Sequence, residues 1–93
     1  MQGVIDFLCD SQDEEAKFLR ERCVFKIIPM LNPDGVIHGN YRTNLSGCDL
    51  NRRWKSTNKA LFPTVYAAKS LIKQLSRIRE LLTICDLHGH SRK

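Results

Sequence analysis

The chain has 93 residues, of which 42% are hydrophobic and 27% are charged. This length allows one small domain, and the ordinary globular composition excludes wholesale disorder, collagen and coiled coils. No apolar run approaches the roughly 20 residues of a membrane span, and the N-terminus lacks the basic start and apolar stretch of a secretory signal. We therefore expect a cytoplasmic protein without a membrane partner.

The net charge of +5 is divided unevenly along the chain. Residues 1–21 hold six acidic and two basic side chains, a balance of −4, whereas residues 22–93 hold thirteen basic and four acidic ones, a balance of +9. Such a basic segment can face nucleic acid or an acidic substrate. A solvated basic helix face explains the same charge, so composition alone leaves the partner open.

The four cysteines, at positions 9, 23, 48 and 85, lie far apart. None belongs to a Cys-x-x-Cys pair of the kind found in zinc ribbons and redox sites. Because no signal peptide is recognisable, we expect reduced thiols rather than a disulfide framework.

Two short helices are predicted first. The apolar residues between positions 4 and 8 lie on one helical face, which indicates the end of a longer helix. Ser11 and Glu14 have the Ser-x-x-Glu spacing of a capping box, which predicts a second, acidic helix that turns Phe18 and Leu19 toward the core.

Residues 23–31 form an apolar run broken only by Lys26. Its length and β-branched content predict a strand buried on both faces, as in a parallel sheet. Asn32-Pro33-Asp34-Gly35 then predicts a turn, because proline fixes φ and glycine tolerates the positive φ that follows. Residues 36–62 lack a steady period, which predicts a long loop of the kind that is usually functional or disordered.

A helix is predicted from Pro63, which suits a first helical turn. Its buried face is expected to carry Val65, Ala68, Leu71, Ile72, Leu75 and Ile78. Residues 81–87 then form a second apolar strand. A strand, a crossover helix and a second strand make a βαβ unit with parallel strands, and ligands bind beyond the carboxyl ends of such strands. The polar residues that follow both strands are therefore candidate site residues.

His88 directly follows the second predicted strand, and Gly89 lets the backbone turn away from it. This placement presents the imidazole as a metal ligand or a proton-transfer group, although a structural role is the commoner one for a histidine. His90 could share a metal with His88 in principle. No His-x-x-Glu or His-x-x-x-His pair occurs in the sequence, so the chain by itself cannot assemble an ordinary three-ligand zinc site.

Arg42, Arg52 and Arg53 cluster in the long predicted loop, with Asn51 beside them. A guanidinium group matches a carboxylate bidentately and an asparagine amide adds a neutral donor. Asn51-Arg52 is therefore a candidate clamp for a terminal carboxylate or a phosphate. The alternative is that the arginines are solvated or paired with Asp34, Asp49 and Asp86.

Four motifs occur in order along the chain: Asn32-Pro33-Asp34-Gly35, Gly39-Asn40-Tyr41-Arg42, Asp49-Leu50-Asn51-Arg52-Arg53-Trp54 and Asp86-Leu87-His88-Gly89-His90-Ser91-Arg92-Lys93. Together they resemble the zinc metallocarboxypeptidases, and within them the cytosolic carboxypeptidase branch that removes glutamates from tubulin and other proteins. The resemblance implies an α/β fold of the carboxypeptidase type, with a parallel or mixed sheet and a βαβ crossover helix. The chain would hold an incomplete part of that fold.

The resemblance also implies roles for single residues. His88 matches the last protein ligand of the catalytic Zn²⁺ ion. Arg42 matches the catalytic, substrate-binding arginine that polarises the scissile carbonyl and stabilises the oxyanion. Asn51 and Arg52 match the pair that grips the C-terminal carboxylate of the substrate. The resemblance assigns no chemical role to Arg53, Trp54 and His90.

Other parts of the family's site are missing from these 93 residues. The His-x-x-Glu ligand pair would precede Met1 and the general-base glutamate would follow Lys93, so we expect residues 1–93 to be an internal fragment of the catalytic domain that is inactive alone. The expected activity of the parent is zinc-dependent hydrolysis of C-terminal residues, above all glutamates, from polypeptide tails such as those of polyglutamylated tubulin. A non-catalytic basic binding module and a pseudoenzyme remnant are the alternatives. Nucleic acid is the weaker partner hypothesis, because no nucleic-acid-binding motif is recognisable.

Overall fold

The computed structural model describes residues 1–89 of the chain. Helices are its main regular structure, and they are α1 (Gln2–Cys9), α2 (Glu14–Arg22), α3 (Pro33–His38), a 3₁₀ turn (Leu50–Arg52) and α4 (Pro63–Ile78). The chain divides into two compact units, of which the first contains residues 1–29 together with residues 86–89 and the second contains residues 30–85. Within the described range, no helix has the length and apolar character needed to cross a bilayer.

The predicted α/β fold is wrong for the described part of the chain, because residues 1–89 form no β-sheet and no βαβ unit. Their one β-type pairing is an isolated antiparallel bridge between Thr43 and Asp49. The two predicted strands, residues 23–31 and 81–87, are non-helical, but neither has a partner strand in this range. A strand is stabilised by hydrogen bonds to a neighbouring backbone, so an apolar run without such a neighbour does not become one.

The large apolar side chains of these two runs are exposed rather than buried. In the first run the exposed fraction is 39% for Ile27 and 55% for Val24, and in the second it reaches 71% for Leu82. The prediction that both runs are buried strands is therefore wrong for the described residues.

The first unit is built on the packing of α1 against α2, which buries Leu8 and Ala16. The predicted capping box is wrong: Asp13 caps α2 in place of Ser11, and its Oδ1 atom accepts a hydrogen bond from the Ala16 N–H group at 2.9 Å. Aspartate is as good an N-cap as serine, so the nearer carboxylate takes the position. Phe18, a predicted core residue, is exposed, and the Arg22 guanidinium lies 3.7 Å from its ring centroid.

In the second unit, the residues predicted as a turn begin helix α3 instead. The Asn32 side chain is the N-cap, because its Oδ1 atom accepts a hydrogen bond from the Gly35 N–H group at 3.1 Å. Pro33 occupies the first helical turn, where its missing N–H group costs nothing. Gly39 ends α3 in the left-handed conformation, with φ of 71°, so this glycine supplies the positive φ that was expected at Gly35.

Helix α4 is confirmed from Pro63 onward, and its N-terminal half carries the core of the second unit. Val65 is fully buried and packs with Leu50 and Phe62. Leu31, Cys48 and Trp54 are partly buried against this cluster. The burial of the predicted apolar face decreases toward the C-terminal end of α4. Leu71, Ile72 and Leu75 are half-buried, and Ile78 is 74% exposed.

Candidate functional site

Asparagine side chains organise the segment that carries Arg42. The Asn32 side chain caps α3 through its Oδ1 atom, and its Nδ2 group donates a hydrogen bond to the Thr43 carbonyl oxygen at 3.2 Å. The Asn40 Nδ2 group donates to the same oxygen, also at 3.2 Å. The backbone that follows Arg42 is thus held against the start and the end of α3. The predicted long loop is therefore an ordered connection in this region.

A second asparagine closes the tight turn between the two candidate regions. The Asn44 Oδ1 atom accepts hydrogen bonds from the Ser46 and Cys48 N–H groups at 3.1 and 3.0 Å. Gly47 allows the turn because its φ is 70°. The Asn44 Nδ2 group also donates to the Leu61 carbonyl at 3.3 Å, which ties the turn to the residues just before α4.

The turn leads into the antiparallel bridge between Thr43 and Asp49. Arg42 comes one residue before this bridge and Asn51 two residues after it, so the antiparallel pairing brings the backbones of both candidate regions to the same end of the bridge. The sequence predicted that these groups meet at the carboxyl edge of a parallel sheet. This prediction is wrong. In the described residues, the turn that Asn44 closes between Thr43 and Asp49 brings the two candidate regions together.

Asn51 and Arg52 lie on the 3₁₀ turn, which is fixed at its start and in its centre. The Asp49 Oδ1 atom accepts a hydrogen bond from the Asn51 N–H group at 2.9 Å, and the Asp49 carbonyl accepts one from the Arg52 N–H group at 3.1 Å. Leu50, between them, is buried against Phe62 and Val65. The two candidate clamp residues therefore project from a turn that is anchored in the core.

The side chains of the clamp differ in their surroundings. Asn51 is half-buried, and its Oδ1 atom accepts a hydrogen bond from the Trp54 indole N–H group at 3.2 Å. Arg52 is exposed, and among residues 1–89 its guanidinium forms no ion pair with a carboxylate. Arg53, by contrast, directs a guanidinium nitrogen to the Cys48 sulfur at 3.8 Å and lies over the Phe62 ring. Arg52 is thus available for an anion, whereas the exposed Arg53 side chain contacts the Cys48 sulfur and the face of the Phe62 ring.

Arg42 is exposed, and its guanidinium carbon lies 5.4 Å from the centroid of the Tyr41 ring. A guanidinium within about 6 Å of a ring centroid is attracted to the face of the ring.

His88 belongs to the other compact unit and is exposed in a non-helical segment. Its Nδ1 atom lies 3.2 Å from the Gly89 carbonyl oxygen. Because a carbonyl only accepts, this contact favours the tautomer with the proton on Nδ1 and the lone pair on Nε2, which is one of the two neutral forms that can bind a metal. His88 thus fits a zinc ion as a single ligand, but no group of three metal-binding side chains occurs within residues 1–89. His90 lies outside the described residues.

Comparison with known proteins decides the family. The profile of the zinc carboxypeptidase family matches residues 1–88, which is nearly the whole chain. This protein belongs to the zinc carboxypeptidase family. Among relatives of this zinc carboxypeptidase segment, cytosolic carboxypeptidase 1 from Mus musculus is 54% identical over 100% of the chain, and cytosolic carboxypeptidase 4 from Homo sapiens is 56% identical over the same share. Cytosolic carboxypeptidase 2 from Xenopus tropicalis is 52% identical, again over 100% of the chain.

The zinc carboxypeptidase segment spans only a small part of these relatives. It covers 8% of the length of the mouse protein and of the human one, and 10% of the frog protein. The family resemblance seen in the four motifs is therefore confirmed, whereas the roles of Arg42, Asn51, Arg52 and His88 stay predictions.

Several supporting residues of this zinc carboxypeptidase segment were not predicted as site residues. Asn32, Asn44 and Asp49 hold the backbone, and Trp54 contacts the Asn51 amide. Asparagine and aspartate before a turn are recognised capping residues, so the first three carried a usable signal. Trp54 follows Asn51 by three positions, which is the spacing that brings side chains into line along a 3₁₀ turn.

Proposed function

We propose that residues 1–93 are an internal segment of the catalytic domain of a cytosolic zinc carboxypeptidase, and that the whole protein removes residues from the C-terminal ends of polypeptides. The observation that carries this proposal is the 3₁₀ turn, anchored by Asp49 and Leu50, that presents Asn51 and Arg52 together. Membership of the zinc carboxypeptidase family supports it. The small share of the relatives' length that the chain covers is in keeping with a segment that supplies only part of a site.

In this proposal, Asn51 and Arg52 bind the free carboxylate at the end of the substrate. The Arg52 guanidinium provides a charged fork and the Asn51 amide provides a neutral N–H donor. A site that recognises a terminal carboxylate places the last peptide bond, and no internal one, beside the reacting groups. Exopeptidase action is the consequence.

Arg42 is proposed to act on the carbonyl of the bond that is cut. Its guanidinium donates hydrogen bonds to the carbonyl oxygen and stabilises the negative charge that develops there. The loss of one such donor typically lowers the rate by on the order of 100- to 1000-fold.

His88 is proposed to hold the zinc ion through Nε2, with Nδ1 donating to the Gly89 carbonyl. When it is bound, the zinc ion supplies Lewis-acid activation of the carbonyl and of a water molecule. The other ligands and the general base are proposed to come from outside residues 1–93. The isolated chain is consequently expected to hydrolyse no peptide, and release of C-terminal glutamate from a polyglutamylated peptide by the purified chain would contradict this.

A hybrid enzyme tests the clamp. In this hybrid, the present chain replaces the matching segment of mouse cytosolic carboxypeptidase 1. Arg52→Ala in the hybrid should raise KM and lower kcat/KM by roughly 10- to 100-fold for a peptide with a free C-terminal carboxylate, because a hydrogen-bonded charge pair is lost. Arg53→Ala is the matched control, since Arg53 is engaged with Cys48 and Phe62. Equal kinetics of Arg52→Ala and the unsubstituted hybrid would refute the clamp.

The same hybrid tests the metal ligand. His88→Ala should remove most of the zinc measured by elemental analysis, whereas His38→Ala, which changes an exposed histidine at the end of α3, should leave it bound. Full zinc content in the His88 variant would show that this imidazole is no ligand.

The substrate is proposed to be a polypeptide tail that ends in glutamates, as in polyglutamylated tubulin, and the location to be the cytoplasm. The basic balance of residues 22–93 favours an acidic substrate. The word cytosolic in the names of the relatives supports the location. Comparison of glutamate release with release of a neutral residue by the hybrid tests the substrate class.

The +9 balance also favours a second candidate, a non-catalytic module that binds acidic tails. Binding that depends on this charge should weaken steeply as salt is added. An isolated chain that binds a polyglutamate peptide in a salt-dependent way, combined with an inactive hybrid, would favour this module or a pseudoenzyme remnant over the enzyme.

A further inference from the structure

Trp54 makes one polar contact that the proposed chemistry has not used. Its indole Nε1 atom lies 3.2 Å from the Asn51 Oδ1 atom. The ring itself is partly buried against Leu50, Phe62 and Val65. The core therefore determines where the indole N–H group is, and the indole N–H group contacts a proposed clamp residue.

This contact determines which end of the Asn51 amide is available to a substrate. An indole N–H group can only donate a hydrogen bond, so it selects the amide oxygen and turns the amide nitrogen away. Within residues 1–89 the Asn51 Nδ2 group forms no hydrogen bond, so its two N–H donors are unused. A carboxylate can only accept hydrogen bonds, and the amide orientation held by Trp54 is the one that offers it donors.

Without the indole N–H group, the Asn51 amide can rotate by half a turn and present its oxygen to the carboxylate. Two acceptors that face each other repel, and the Arg52 guanidinium would then hold the substrate alone. The Asn51 backbone is already fixed by Asp49, so Trp54 controls the remaining freedom, which is the orientation of the amide.

We propose that Trp54 is a positioning residue for carboxylate recognition, because its indole N–H group holds the Asn51 amide with its N–H donors directed to the C-terminal carboxylate. This inference rests on the proposed function, since it requires that Asn51 and Arg52 bind that carboxylate. It assigns a task to a residue for which the family resemblance implied none.

The hybrid enzyme allows a direct test with a readout that packing alone does not change. The readout is the carboxylate preference, defined as the inhibition constant of a C-terminally amidated competitive peptide divided by that of the same peptide with a free carboxylate. The variants are Trp54→Phe, which keeps an aromatic ring but lacks the N–H donor, Asn51→Ala and the double variant. Leu8→Ala is the control for lost stability, because Leu8 is buried between α1 and α2 and lies in the other compact unit.

Asn51→Ala should lower the carboxylate preference by about tenfold or more, and Trp54→Phe by about threefold, because hydrogen bonds to charged groups are among the stronger ones. In the double variant the tryptophan substitution should have no further effect, since a residue that acts through another shows this coupling in a double-mutant cycle. Leu8→Ala should lower the melting temperature and leave the carboxylate preference unchanged.

Each other outcome overturns a stated part. If Trp54→Phe left the carboxylate preference unchanged, Trp54 would serve packing only and the clamp would stand. The same conclusion would follow if Trp54→Phe lowered the preference by the same factor in the Asn51→Ala background as in the unsubstituted hybrid. If Leu8→Ala lowered the carboxylate preference as much as Trp54→Phe does, the effect of Trp54→Phe would also be assigned to lost stability. An unchanged preference in Asn51→Ala would overturn the proposed clamp itself, and an inactive hybrid would overturn the proposed function together with this inference.

Discussion

The Asp49 carboxylate holds the backbone of Asn51, with the Oδ1 atom accepting the Asn51 N–H group at 2.9 Å. Leu50, between these two residues, is buried in the core of the second unit. The turn is thus fixed by a hydrogen bond on one side and by apolar packing on the other. Because the proposed carboxylate donors project from this turn, its stability and its function depend on the same residues.

Asp49→Ala should destabilise the chain by about 1 kcal/mol, because the substitution removes the side-chain cap of the 3₁₀ turn. Urea unfolding followed by circular dichroism measures the loss. Asp49→Asn keeps an acceptor oxygen and should cost no more than a few tenths of a kcal/mol. If both variants lost equal stability, the charge of Asp49 and not its capping bond would be the important property.

Val65→Ala should cost about 2 kcal/mol, since Val65 is fully buried and the substitution removes two methyl groups and leaves a cavity beside Leu50. Ile78→Ala on the same helix is the control, because Ile78 is 74% exposed. Its unfolding free energy should change by less than about 0.5 kcal/mol. A small effect of Val65→Ala in the same denaturation experiment would mean that the core does not hold the 3₁₀ turn.

The helices could be predicted from the sequence where local signals suffice. Pro63 and the three-four spacing after it specify α4 without help from distant residues. Residues 23–31 and 81–87 carry the pattern of buried strands equally clearly, but a strand depends on a neighbour that its own sequence does not encode. The wrong fold class therefore follows from the non-local character of sheets.

The candidate site shows the same division between local and distant information. Asn51 and Arg52 are adjacent in sequence, so their joint presentation on one turn needed little more than a capping residue, Asp49, that the sequence contains. The bond between Asn44 and the Leu61 carbonyl spans 17 positions and leaves no periodic signal. Relations of this second kind became apparent only from the structure.

The exposed apolar runs predict self-association of the isolated chain. Leu82 and Ile84 are 71% and 59% exposed in a segment with a strong strand pattern, and exposed segments with high strand propensity promote aggregation. Lysine at both positions should lower light scattering at a given protein concentration. The control is Ile37→Lys, which changes an exposed residue of helix α3 and should have little effect on the light scattering. Equal scattering of the unsubstituted chain and the Leu82/Ile84 variant would place the association elsewhere.

Arg20→Ala should loosen the pairing of α1 and α2. One Arg20 guanidinium nitrogen donates to the Leu8 carbonyl at 2.7 Å and to the Asp10 carbonyl at 2.8 Å, at the end of α1 where carbonyls lack helical partners. The loss should be about 1–2 kcal/mol, because the donor is charged. Arg22→Ala, which removes an exposed guanidinium from the Phe18 ring, should cost less than about 1 kcal/mol. Faster amide exchange in α1 for the Arg20 variant alone would confirm the assignment, and equal exchange in both variants would contradict it.

Gly35 and Gly3 should respond in opposite directions to the same change. A Cβ atom at Gly35 would lie 2.6 Å from the Thr43 carbonyl oxygen and would also clash with the Asn32 side chain, so Gly35→Ala should cost about 1–3 kcal/mol even though alanine favours helices. A Cβ atom at Gly3, in helix α1, meets nothing within 4 Å, so Gly3→Ala should stabilise the chain by up to about 1 kcal/mol. Thermal unfolding of the two variants measures both effects. Stabilisation by alanine at both positions would mean that α3 does not approach Thr43 as closely as the asparagine contacts require.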